Sequence, residues 1–139
     1  MVYYLLTNTK QSLVRKLYLV LSLFWTIAIH VLCLMDLSDV NTVKRVRIPH
    51  ADKIVHLLMY TILSFLWGMV LLRTHFFKEV NHIILIMSFV IFGLAIEILQ
   101  GYGGFNRSFE WQDIVANTIG VIIGYFICLK ILNFKPHKS

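Results

Sequence analysis

The stretch IVHLLMYTILSFLWGMVLL, residues 54–72, decides the fold. It contains no Asp, Glu, Lys or Arg. At a rise of 1.5 Å per residue, a helix of this length is about 29 Å long. That matches the ~30 Å hydrocarbon thickness of a bilayer. Three more apolar runs have similar length, at about Leu17–Met35, Ile83–Leu99 and Ile114–Phe134. Lipid offers no partners to open strand edges, so helices are the expected spanning form. The expectation is an all-α polytopic membrane protein, a four-transmembrane-helix bundle with helices at about 17–35, 54–72, 83–100 and 114–134. It is read as a single domain over residues 1–139, with no internal repeat or linker.

Composition agrees. Hydrophobic residues make up 58% and charged residues 14%, against about 25% charged in soluble domains. A soluble chain this short could not bury so much apolar surface. The net charge of +6 does not point to nucleic acid. The basic residues fall between apolar runs, where they anchor and orient helices, and no nucleic-acid-binding motif accompanies them. Cys33 and Cys128 sit inside apolar runs without metal-ligand spacing and are expected to be small buried side chains. The first run follows Lys10, Arg15 and Lys16, as in a signal peptide, but it is long and ends in LMDLSD without a small-x-small cleavage site. A retained helix is expected.

Four crossings fix which loops share a side. Lys10, Arg15, Lys16, Arg73, Lys78, Lys130, Lys135 and Lys138 lie on one side; Lys44, Arg45, Arg47, Lys53 and Arg107 lie on the other. The positive-inside rule favours both termini in the cytoplasm. The same alternation gathers the polar residues. Asp52, His56 and Tyr60 are spaced i, i+4, i+8 on the second helix; Glu97 and Gln100 end the third; Asp113 and Asn117 begin the fourth. All lie near one membrane face, and Lys53 and Arg107 accompany them. By helical rise, His56 and Asn117 sit roughly 6 Å below the helix starts, and Glu97 about 4–5 Å below Gln100. A charge at that depth costs about 1–3 kcal/mol unless paired or hydrated. Facing one another around a polar pocket is the economical arrangement. The bland alternative is helix adhesion through interhelical hydrogen bonds, with a Glu97–Arg107 or Asp113–Arg107 pair fixing the third loop.

Gly120-Val-Ile-Ile-Gly124 is a GxxxG step on the face that carries Asp113 and Asn117. Small residues there let a neighbouring backbone come close. Inward helix packing is expected, with a homodimer through Gly120 and Gly124 as the alternative. Ser22, Thr26 and His30 form a stripe on the first helix that reads as helix packing, and Trp111 reads as an interfacial anchor. Gly101-Tyr-Gly-Gly104 reads as a local loop.

The ordered pattern Asp52-Lys-x2-His56-x3-Tyr60, Glu97-x2-Gln100 and Arg107-x5-Asp113-x3-Asn117-x2-Gly120 resembles the VanZ-like family of small bacterial membrane proteins. That family is named for a member associated with low-level resistance to the glycopeptide teicoplanin. The resemblance covers roughly residues 50–125. It implies that Asp52, Lys53, His56, Tyr60, Glu97, Gln100, Arg107, Asp113, Asn117 and Gly120 match the family's signatures. The loop at 101–106 lacks the proline such a loop would carry. The resemblance implies a bacterial cell-envelope setting in the inner (plasma) membrane, and no particular reaction.

Three functions are weighed. The first is binding of a membrane lipid, a lipid-linked cell-wall intermediate or the lipoglycopeptide itself at the outer leaflet. Arg107 and Lys53 would hold an anionic group, and Asp52, Glu97 and Asp113 would orient them. The second is a membrane enzyme on a lipid-linked substrate, with His56, Glu97 and Asp113 as acid–base groups. The third is a transporter or scaffold, disfavoured because the polar groups are confined to one leaflet. His56, Glu97 and Asp113 also offer imidazole and hard oxygens. They lack a dedicated ligand spacing, so no metal and no cofactor is expected.

Overall fold

The computed structural model describes residues 2–35, 51–72, 82–104 and 108–133. They form α1 (Val2–Leu34), α2 (Ala51–Leu71), α3 (His82–Tyr102) and α4 (Trp111–Asn133). There is no strand among the described residues. Each helix contains a stretch of 21 to 23 residues long and apolar enough to cross a membrane. Large side chains such as Phe24, Ile83, Ile91 and Phe126 face outward. In water such a surface would drive aggregation; in a bilayer it is the solvated surface. The protein is a four-helix membrane bundle.

Helix ends depart from the apolar runs, for physical reasons. α1 begins at Val2, far ahead of Leu17. Nothing between Val2 and Leu34 breaks a helix, since neither Pro nor Gly occurs there; apolar length reports the membrane crossing and not the helix. α4 begins at Trp111 and not Ile114. The Glu110 carbonyl accepts the Asp113 N–H at 3.0 Å, and acidic residues in a first turn suit the positive helix end. The Gly101–Gly104 segment is only partly a loop. α3 runs on to Tyr102, the Gly103 N–H donates to the Leu99 carbonyl at 2.8 Å, and Gly104 stops the helix at φ 75°.

Contacts fix the order of packing. Lys53 meets Asp113, His56 meets Asn117, and Gly68 meets Cys128. The pairing advances in step, so α2 and α4 run parallel, and they share the most extensive interface. A side chain at Gly120 or Gly124 would collide with the Leu57 or Thr61 backbone carbonyl. The GxxxG face is therefore covered by α2 within the chain. A homodimer through these glycines would need that same face.

α1 closes the bundle with indole hydrogen bonds. Trp25 Nε1 donates to the Met59 carbonyl and Trp67 Nε1 to Thr26 Oγ1, both at 3.0 Å. Ser22 and Thr26 hydroxyls donate to carbonyls one turn back, which satisfies them inside hydrocarbon. Ile29, Tyr60, Leu63, Ile96 and Val121 form the core. Cys33 and Cys128 are buried. This framework leaves the polar ends of α2, α3 and α4 facing one another.

Candidate functional site

The cluster is built on the first turns of α2 and α4 and the last turns of α3. Lys53 is its electrostatic centre. Its ammonium lies 2.7 Å from Asp52, 3.0 Å from Asp113 Oδ1, and in contact with Glu110. Asp52 and Glu110 are on the rim, whereas Asp113 is buried. Glu110 was not among the candidate residues. It precedes α4 in a short loop, where no periodicity marks it.

One turn deeper lies His56, which is buried. Its Nδ1 is 3.1 Å from Asn117 Oδ1 and 3.5 Å from Glu97 Oε1. Its Nε2 is 3.8 Å from Asp113 Oδ2. The Asn117 oxygen can only accept, so the contact puts a proton on Nδ1. Glu97 reaches this point from α3 and is wholly buried. His56, Glu97, Asp113 and Asn117 thus come together from three helices, as matched depth implied. Three carboxylates (Asp52, Glu110, Asp113) surround one lysine, and a fourth, Glu97, stands beside His56.

The other candidates sit around this centre. Tyr60 is buried below His56 against Phe92, and its hydroxyl has no hydrogen-bond partner among the described residues. Gly93 makes room for it, since a Cβ there would lie 3.1 Å from the Tyr60 ring. Gln100 turns toward α1 and donates to the Cys33 carbonyl at 2.8 Å. Arg107 lies outside the described residues. Lys53, expected to hold an anion with Arg107, is engaged by three carboxylates.

Beside the cluster a cleft of about 290 Å³ opens between α1, α2 and α3. Asp52, His56 and Gln100 form its polar lining; Leu32, Cys33, Val55 and Met59 form its apolar lining.

Four membrane-spanning helices with an acidic, histidine-containing cluster buried near one membrane face define a class of small polytopic membrane protein. The VanZ/LLP1 family model matches residues 2–133, and the chain belongs to that family. No curated protein and no solved structure matches it.

Proposed function

We propose that this protein binds a lipid-linked cell-wall intermediate at the outer leaflet of a bacterial plasma membrane, and through it contributes to tolerance of lipoglycopeptides such as teicoplanin. The observation that carries the reading is the cleft. It places Asp52, His56 and Gln100 beside Leu32, Val55 and Met59, and an amphiphile needs both kinds of wall. Carboxylates accept hydrogen bonds from sugar hydroxyls and amides. With Lys53 engaged by three acids, recognition of a phosphate falls to Arg107. The test is lipid mass spectrometry on purified protein. Wild type is expected to carry a polyprenyl-phosphate-linked species that Arg107→Ala loses. Recovery of bulk phospholipid alone from the wild type removes the reading.

A second reading is an enzyme acting on the same lipid class. The His56 ring lies between Glu97 and Asp113, an arrangement suited to proton transfer. Conversion of the added lipid by purified protein would favour it; binding without turnover favours the first.

The outer-leaflet assignment requires both termini in the cytoplasm. Asn106→Cys, between α3 and α4 in sequence, is expected to react with an impermeant maleimide in intact cells. Labelling only after lysis reverses the orientation.

A further inference from the structure

Glu97 is the least explained side chain in the bundle. It is 0% exposed. Among the described residues neither of its carboxylate oxygens has a hydrogen-bond partner. The Asn117 amide and the Glu110 backbone N–H lie near it as donors, outside hydrogen-bonding geometry. A buried carboxylate in such a place demands compensation. Two other metal-ligating groups converge on it. One ligand atom each from His56, Glu97 and Asp113 lies within 4.8 Å of the others. The shorter separations are 3.5 Å from Glu97 Oε1 to His56 Nδ1 and 3.8 Å from Asp113 Oδ2 to His56 Nε2. Two donors on one tetrahedral ion, each at about 2.1 Å, stand about 3.4 Å apart. An ion takes one ring nitrogen only, so on Nε2, beside Asp113, it requires the Glu97 carboxylate to swing round from the Nδ1 side.

We propose that His56, Glu97 and Asp113 form a site for a divalent transition-metal ion of the Zn2+ or Mn2+ type. Imidazole with two carboxylates suits such ions. Three protein ligands leave a coordination position open, as in catalytic metal sites. Asn117 acts as a positioning residue. By accepting from Nδ1 it leaves Nε2, the nitrogen facing Asp113, with its lone pair. A divalent cation also offsets the excess of carboxylates around Lys53. The neighbouring group of Asp52, Glu110 and Asp113 is the weaker candidate, because the Lys53 ammonium already contacts all three. The ion does not depend on the lipid reading. His56 is the residue that the cleft and the proposed ion site share.

The test uses full-length protein in detergent, stripped with a chelator and titrated with Co2+ alone. Wild type is expected to take up about one equivalent with ligand-field bands of a low-coordinate site, displaced by Zn2+. Glu97→Gln should lose stoichiometric uptake, and Glu110→Gln should keep it. Asn117→Ala should weaken binding by about 10–100-fold. Helical circular dichroism and monodisperse elution verify each variant's fold. If Glu97→Gln does not fold, the wild-type stoichiometry and the Asn117→Ala shift decide. Wild type that takes up no Co2+ above a detergent blank overturns the site, as does loss of uptake in Glu110→Gln with retention in Glu97→Gln. No lipid is present, so this failure would leave the lipid reading standing.

Discussion

Gly124→Ala is expected to lower bundle stability by about 3 kcal/mol, and the double variant Gly120→Val/Gly124→Val to prevent folding altogether. Overpacked positions usually cost about 1–3 kcal/mol, occasionally more. This site belongs at the upper end. The atom that a new Cβ would strike is a main-chain carbonyl, Thr61 O at Gly124 and Leu57 O at Gly120. A side chain could rotate away; a helical carbonyl cannot. Relief requires α2 and α4 to separate, and theirs is the largest helix interface. Separation also stretches Ser64 Oγ from the Val121 carbonyl, now at 2.8 Å, and His56 from Asn117. Gly104→Ala is the control. Its Cβ meets nothing within 4 Å, and only its φ of 75° resists, at about 1 kcal/mol. Thermal melts followed by fluorescence-detected size exclusion measure all three. A Gly124→Ala melt as mild as that of Gly104→Ala would show that α2 and α4 are not in this contact.

Hydrophobic length made the four crossings legible, because a bilayer imposes one thickness on every segment. The shared depth of His56, Glu97, Asp113 and Asn117 was legible too, since alternation through a membrane leaves no choice about which helix ends meet. Side-chain direction within that layer was not. Asp52, His56 and Tyr60 at i, i+4, i+8 looked like the inward face. Lys53, His56 and Tyr60 at i, i+3, i+7 fit a helical stripe equally well, and the structure turns Lys53 inward and leaves Asp52 half exposed. Glu110 escaped because it lies before α4, where spacing carries no signal. Trp25 and Trp67 escaped for another reason. Indoles in apolar runs read as bulk, whereas their N–H groups here fasten α1 to α2. The start of α1 was invisible to hydropathy because residues 2–11 extend the helix beyond the apolar stretch.

Lys53→Met should destabilise the protein by about 3 kcal/mol, the range measured when one partner of a buried ion pair is removed. Methionine keeps the length of the stem and deletes the charge. What remains is Asp52, Glu110 and Asp113 without the ammonium that now joins them. Their shares differ. Asp52 and Glu110 side chains are 50% and 41% exposed, so water can solvate them, and each pairing is worth under about 1 kcal/mol. Asp113 is 9% exposed and 3.0 Å from the ammonium; it loses compensation where water does not reach. Most of the cost therefore sits in one pair, and a double-mutant cycle can isolate it. Asp113→Asn removes the stranded charge, so Lys53→Met/Asp113→Asn is expected to be more stable than Lys53→Met alone. Lys53→Met/Asp52→Asn should recover little. Chemical or thermal unfolding of the single and double variants measures the coupling. Strict additivity between Lys53→Met and Asp113→Asn would mean that the ammonium does not neutralise the buried acid. The wider consequence concerns the layer beneath. Lys53 holds Asp113 by Oδ1 while Oδ2 faces His56 Nε2. The rim pair thereby sets the direction in which the deeper carboxylate points, and removing the lysine should loosen His56 without touching it.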